Sequence, residues 1–396
     1  MMRKRVILHA GKEKSLLRKH PWVFSGAIAR ADGQISDGEI VEVFDHQRQF
    51  LAMGHYHEAS IAVRVFAFEK IEPDFEFWKN RVAQAWDYRQ TLGITGKEPL
   101  TIFRLVNGEG DLLPGLIIDW YQGCAVMQFH SMGMYRLRET FARALQEIFG
   151  NHLKSIYDKS SSTLLNPNDL PVDDGYMFGK EEEVFGVEYG LPFYIDISRG
   201  QKTGFFIDQR ENRRLLGEHA RDRQVLNLFC YTGGFSTYAL AGGAARVHSV
   251  DISSRAVEQT RKNIEHFSPE VAARHEAFED NVFDFIEKMP PRQYDIIILD
   301  PPAFAKHHKV KEQGIKGYRN LNKKVMEKIK NGGLLFTFSC SQAVSHDDFQ
   351  TMIFSAAALA HRDLQIVAHL QQAPDHPVSI FHPEGAYLKG LLLHVN

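Results

Sequence analysis

Cysteine is scarce in this chain: three residues in 396, at Cys124, Cys230 and Cys340. An odd count with no C-x-x-C pair argues against a disulfide framework and against a cysteine-ligated zinc site. Long apolar runs are missing too, and no stretch approaches the roughly 20 residues that span a bilayer. The N-terminus, MMRKRVILHAGKEK, returns to charge too soon for the apolar core of a signal peptide. The expectation is a reduced, cytoplasmic protein with no membrane partner and no metal. An excess of one charge is absent as well. Lys and Arg number 47 against 49 Asp and Glu, a net charge of −2, so any nucleic-acid site has to be a local patch. What is present is a globular composition, 44 % hydrophobic and 24 % charged, with enough apolar surface to offset chain entropy. At roughly 150 residues per domain, the length implies two or three domains.

Three textures follow one another. Up to about residue 70, EIVEVFDH (39–46) and SIAVRVFAF (60–68) alternate apolar and polar residues between Asp-Gly turns, which predicts a small β-rich module. Phe75, Trp78, Val82, Ala85, Trp86 and Leu92 then recur at helical spacing after Asp74, a helix start. Strands through 104–130, a helix over 133–149 and a strand in NHLKSIYDKS complete a small α+β unit. Residues 158–183, with Asn166-Pro167 and Asp173-Asp174-Gly175, read as a loop or a hairpin lead-in. From about 196, apolar strands (QVLNLFCYT, RVHSVD, YDIIILDPP, GGLLFTFSCS) alternate with helical stretches. That pattern predicts a doubly wound, parallel α/β sheet.

In LNLFCYTGGFSTYALA, Gly233 and Gly234 let the chain turn tightly between strand and helix and approach a ligand closely. Seventeen residues beyond Gly234, Asp251 ends the next strand, where an acid accepts from both ribose hydroxyls. The turn lacks the G-x-G-x-x-G spacing that seats a pyrophosphate on a helix N-terminus. S-adenosylmethionine, a nucleoside cofactor without phosphates, fits better than a nicotinamide or flavin; a purely structural turn is the remaining alternative. Asp280 and Asn281 follow the third strand, to read the adenine edge or to cap a helix. QKTGFFIDQREN (201–212) reads as a polar lid onto the cofactor, or as a capped helix start at Asp208.

YDIIILDPPAF delivers Asp300 to a strand's carboxyl end, where open α/β sheets bind ligands. An acid followed by Pro-Pro and an aromatic suits the edge of a planar base. GGLLFTFSCS brings Cys340 to the end of the next strand. That pairing suits cytosine, whose carbon 5 is a poor nucleophile until a thiolate adds to carbon 6. A small buried hydrophobe is the other reading of any free cysteine. Basic residues gather in two places: Arg3, Lys4, Arg5, Lys12, Lys14, Arg18 and Lys19, and then nine between Lys306 and Lys330. These suggest phosphate contacts by Arg3, Lys4, Arg18, Lys19, Lys306, Lys309, Lys311 and Arg319, with Trp22 stacking on a base. A solvated charged face is the alternative.

Taken in order, KSLLRKHPWVFSGAIAR, LVNGEGDLLPGLIID, QKTGFFIDQREN, LNLFCYTGGFS, LDPPAF, FTFSCS, DHP (375–377) and EGAYLKG (384–390) resemble the RlmI-type 23S rRNA (cytosine-C5) methyltransferases of bacteria along the whole chain. The resemblance implies a PUA RNA-binding domain over 1–72, a central α+β domain over 73–195 and a class I, Rossmann-like methyltransferase domain over 196–396. It implies S-adenosylmethionine held by Lys202, Thr203, Asp208, Phe229, Tyr231, Thr232, Gly233, Gly234, Asp251, Asp280, Asn281 and Asp300. It implies Cys340 as the nucleophile, with Asp300 holding the base. Asn281 departs from the pattern, standing where a second acid is expected. The expected partner is 23S rRNA or a large-subunit precursor, with a homodimer left open. Two alternatives stand beside this reading: methylation of another base, such as guanine N7, without a thiol, and a non-catalytic RNA-binding assembly factor.

Overall fold

The computed structural model describes residues 3–95, 99–164, 172–181, 183–305 and 308–396, with the main chain alone at residue 308. They form two compact units. The first holds the chain up to Gly190, then Ile195–Phe205 and Pro374–Gly385. The second holds Leu191–Tyr194, Phe206–Ala373 and Ala386–Asn396. The β-rich N-terminal segment and the central α+β segment thus share one unit. The segment holding Asp-His-Pro 375–377, which the resemblance places in the methyltransferase domain, packs with them.

In the first unit a six-stranded sheet runs in the order Trp22–Phe24, Ile61–Ala67, Phe50–Tyr56, Ile40–Phe44, Lys4–Leu8, Ile28–Ala31. Alternate residues fill its core: Val6 and Leu8, Val41 and Val43, Val63 and Val65. This is the period-two burial that the sequence pattern requires. A second sheet has five strands, in the order Gly175–Phe178, Ser155–Asp158, Cys124–Phe129, Leu116–Tyr121, Ile102–Asn107. The helices Phe75–Thr91 and Arg138–Phe149 bury Trp78, Val82, Phe141 and Leu145 in one core with Phe103, Trp120, Met53 and Phe66. Asp74 caps the first helix, accepting from Phe77 N at 2.9 Å. The helix expected over 133–149 is instead two, Met132–Tyr135 and Arg138–Phe149. Part of the expected loop 158–183 is the strand Gly175–Phe178, while Asn166 and Pro167 lie outside the described residues.

Arg89 is fully buried and binds four things. It donates to Arg104 O at 2.7 Å and Ala85 O at 3.1 Å, forks onto the Asp111 carboxylate at 2.5 and 2.8 Å, and reaches Asp375 O at 2.7 Å. Asn107 Nδ2 donates to Pro377 O at 3.0 Å. Glu109 accepts from Trp22 Nε1 and from Arg64, both at 2.7 Å. Every polar side chain in the Asn107–Asp111 stretch therefore holds chain to chain.

The second unit is a seven-stranded sheet in the order His275–Glu279, Arg246–Asp251, Gln224–Leu228, Ile296–Leu299, Gly333–Ser339, Lys389–Val395, Leu364–Leu370. The first five strands are parallel. Lys389–Val395 is antiparallel to both its neighbours, so the sheet is mixed and not wholly parallel. The reason is local: residues 371–388 contain no α-helix, and a parallel return needs a crossover of a dozen or more residues, usually helical. Ile297, Leu299 and Leu335 enter one core, while Ile296, Ile298, Leu334 and Phe336 enter another. Burial on both faces explains the unbroken apolar run of IIIL. Strand order reverses between Gln224–Leu228 and Ile296–Leu299, and ligands of such sheets bind outside the carboxyl ends at that switch point. Among the described residues, no helix is long and apolar enough to cross a membrane.

Candidate active site

The chain between the strand Gln224–Leu228 and the helix Gly234–Ala241 is unusually contorted. Phe229, Tyr231 and Gly233 have φ of 57°, 47° and 77°. Non-glycine residues in this region cost free energy, and they persist only where the surroundings fix them. Here the surroundings do so. Thr260 Oγ1 donates to Tyr231 O at 2.9 Å, Asn263 Nδ2 donates to Thr232 O at 2.9 Å, and Gly233 N donates to Cys230 O at 2.9 Å. A Cβ on Gly233 would lie 2.5 Å from Thr260 Cγ2, and one on Gly234 would lie 2.9 Å from Arg213 Cδ. Both glycines thus answer to packing within the protein, beyond the close ligand approach expected of them.

Asp251 ends its strand beside this turn. One carboxylate oxygen accepts from Tyr231 N at 3.0 Å, the other from Ser253 N at 3.0 Å. Asn281 is a helix cap: its Oδ1 accepts from Phe283 N at 2.9 Å at the start of Val282–Lys288. Asp280 accepts from Asn281 N at 2.7 Å and lines a cavity of about 560 Å³ with Phe278, Phe285, Lys288 and Tyr294.

Asp300 follows the strand Ile296–Leu299, and Gln209 Nε2 donates to its Oδ2 at 3.0 Å. Gln209 Oε1 in turn accepts from Asn212 Nδ2 at 2.6 Å. Cys340 follows the neighbouring strand Gly333–Ser339 and is half-buried. The other two thiols are inside. Burial pushes Cys124 up to about 11, and it pushes Cys230 up as well. Asp251, the glycine turn, Asp300 and Cys340 thus stand at the carboxyl ends of four successive strands of one sheet.

The lead-in segment divides. Lys202 and Thr203 belong to the first unit, where Thr203 Oγ1 donates to Asp119 Oδ2 at 2.6 Å and bonds Tyr121 OH at 2.9 Å. Asp208 belongs to the second and caps no helix by its side chain. It accepts from Tyr387 OH at 2.7 Å.

The basic clusters are largely engaged. Arg3 pairs with Glu72 at 2.6 Å, Lys4 with Glu39 at 2.9 Å and Lys311 with Asp348 at 2.7 Å. Trp22 is bound to Glu109, and its ring lies 4.3 Å from that of His382. Arg18, Lys19 and Lys309 are exposed, with Lys19 Nζ 5.9 Å from the Phe381 ring centre. Arg319 is half-buried, and Lys306 lies outside the described residues. Tyr387 and Lys389 stand in the EGAYLKG stretch, where no local pattern points to a role for either. Lys389 Nζ donates to Ser341 O at 2.7 Å, beside Cys340.

Comparison with known proteins places this geometry. Residues 104–394 match the S-adenosylmethionine-dependent methyltransferase family, and residues 6–68 match the PUA-like domain. A ribosomal RNA large subunit methyltransferase I of Pseudoalteromonas atlantica is 39 % identical, with 100 % of both chains covered. The protein of that name from Escherichia coli K12 is 38 % identical over 99 % of each. The chain belongs to the ribosomal RNA large subunit methyltransferase I family. Membership makes S-adenosylmethionine the cofactor and methyl transfer the chemistry, as the sequence reading expected. A methyltransferase solved in complex with SAH shares the fold, with a TM-score of 0.85 at 23 % identity, covering 98 % of this chain and 99 % of that one. A methyltransferase from Streptococcus mutans does so with a TM-score of 0.84 at 22 % identity.

Proposed function

We propose that the protein methylates carbon 5 of a cytosine in 23S rRNA, with Cys340 as the nucleophile. The observation that carries this reading is the placement of Asp300 and Cys340 at the ends of adjacent parallel strands, next to the turn and Asp251. The relatives' name, ribosomal RNA large subunit methyltransferase, supports an rRNA substrate.

The residues fit the cofactor. Asp251 is fixed by two backbone donors at a strand end, where its carboxylate suits two ribose hydroxyls. The turn Phe229–Gly234 borders the methionine side. Asp280 is the better candidate for the adenine edge, since Asn281 spends its oxygen on the helix cap. When bound, S-adenosylmethionine supplies an electrophilic methyl group. Asp300, oriented by Gln209, accepts from the exocyclic amine of cytosine and holds the ring edge-on. The Cys340 thiolate adds to carbon 6, forming an S–C bond and moving the ring's double-bond electrons to make carbon 5 nucleophilic. Carbon 5 would take the methyl group, leaving the neutral thioether S-adenosylhomocysteine, and then give up its proton to solvent water. Expulsion of the thiolate restores the double bond. The base leaves its stack to reach these groups. Arg18, Lys19 and Lys309 contribute phosphate contacts, while Arg3, Lys4, Lys311 and Trp22 are secondary candidates because each already has a partner.

The test is incubation with labelled S-adenosylmethionine and unmodified 23S rRNA, followed by nucleoside mass spectrometry. Labelled 5-methylcytidine from the wild type and none from Cys340→Ala is the expected result. Label on another nucleoside, or 5-methylcytidine made by Cys340→Ala, overturns it.

A further inference from the structure

Antiparallel pairing sets Lys389 opposite Ser339, the residue before Cys340. The Lys389 side chain is deeply buried, with the residue 2 % exposed. Its Nζ is fastened to Ser341 O, the residue after Cys340, at 2.7 Å. The ammonium is thereby held against the stretch that carries the thiol. A buried cation is costly unless an anion or several acceptors compensate it. Among the described residues no carboxylate forms an ion pair with Lys389.

We propose that Lys389 is a positioning residue for Cys340: its ammonium stabilises the thiolate that adds to the pyrimidine ring. The proposal rests on the reading of Cys340 as the nucleophile. The thiol proton passes to solvent, and Lys389 keeps its own. Burial pushes Lys389 down to about 8, while the negative charge of Cys340 pulls it back up. By reciprocity the ammonium lowers the thiol by the same interaction. Of the described groups near the pair, Asp300, Tyr318 and His346 do not supply this charge. Asp300, on the adjacent strand end, is an acid and brings no positive charge. Tyr318, on the helix Lys311–Lys328, is pushed up to about 12 by burial and stays neutral. His346, at the start of the helix His346–Ala360, is held below its ordinary value by its own burial, by Lys389 and by His369. Lys389 is charged below about pH 8, so its support for the thiolate is present at neutral pH and fades as the pH rises through that value.

The experiment is alkylation of the full-length protein by iodoacetamide from pH 5.5 to 9.5, with the rate at Cys340 read by peptide mass spectrometry. Cys124 and Cys230, being buried, serve as slow internal references. An ordinary thiol has its midpoint at about 8.5. The expected wild-type midpoint lies below that. In Lys389→Met it moves up by about a unit, which cuts the rate at pH 7 by about tenfold. Lys389→Arg, whose charge does not titrate, restores the low midpoint. An unchanged midpoint in Lys389→Met, with circular dichroism and S-adenosylmethionine binding retained, overturns the proposal. Should that variant not fold, Lys389→Arg carries the test. Its profile lacks the inflection near pH 8 that the titration of Lys389 puts into the wild type, and identical profiles overturn the proposal. The rRNA assay separates the two claims. If Cys340→Ala still makes 5-methylcytidine, the nucleophile reading fails whatever the midpoints. If it makes none and the midpoint does not move, only the role of Lys389 fails.

Discussion

Charged side chains do different work in the two units. In the first, they are paired inward: Arg89 with Asp111, Arg104 with Asp119, Arg64 with Glu109. In the second, the acids at the strand ends bind backbone or amide donors: Asp251 takes two main-chain NH groups, and Asp300 takes the Gln209 amide. An acid neutralised by a buried arginine has spent its charge. Asp251, held by two main-chain donors, is oriented without being spent on an ion pair. The contrast weakens Arg3, Lys4 and Lys311 as candidates for RNA contact, because each already has an acidic partner.

The contrast can be broken in graded ways. Cys340→Ala is expected to cut methyl transfer to RNA by about 10³-fold or more, with S-adenosylmethionine affinity within twofold of wild type. Turnover and calorimetric titration check both halves. A parallel fall in affinity would make Cys340 a packing residue. Arg89→Met leaves Asp111 buried without its partner, and the expected cost is about 3–5 kcal/mol in denaturant unfolding of the first unit. A cost below 1 kcal/mol would mean that the charges of that unit are not structural. Gly233→Ala forces a side chain onto a left-handed residue against Thr260. About 1–3 kcal/mol of stability should go, together with cofactor affinity. Asn281→Ala should remove a helix cap, costing about 1 kcal/mol, while Asp280→Ala should weaken cofactor binding instead. The smallest effect is expected at Lys4. Its surface pair is worth under about 1 kcal/mol, and Lys4→Ala should leave the salt dependence of RNA binding unchanged. Arg18→Ala should lower the slope of log affinity against log salt by about one.

Much of the second unit was legible in the sequence because its apolar strand runs alternate with helical stretches and two of them run into local breakers. Asp300-Pro301-Pro302 and the Gly233-Gly234 turn are local signals, and a parallel sheet brings the ends of adjacent strands together. The antiparallel strand Lys389–Val395 was not legible. Its direction depends on the absence of a helix between 371 and 388, and its apolar run resembles that of any central strand. The link from Gln209 to Asp300 spans 91 positions, and no pattern in either segment announces it. The roles of Asn107, Glu109 and Asp111 were hidden for a similar reason: a Gly-rich acidic stretch looks like a ligand loop until its arginine and tryptophan partners are found. Asn281 was readable in both ways, and the cap geometry weighs toward one.

The excursion of Pro374–Gly385 into the first unit has a consequence for synthesis. On the ribosome most of the first unit emerges early, but Arg89, Arg104 and Asn107 must wait for Asp375 and Pro377, which follow them by 270 to 286 positions. Until then the Arg104 amide and two side-chain donors lack acceptors that the finished fold supplies. The nascent N-terminal half is therefore expected to leave the exit tunnel incompletely locked, and to reach full protease resistance only after residues 374–385 have emerged. A fragment ending before residue 374 should stay permanently in that unfinished condition.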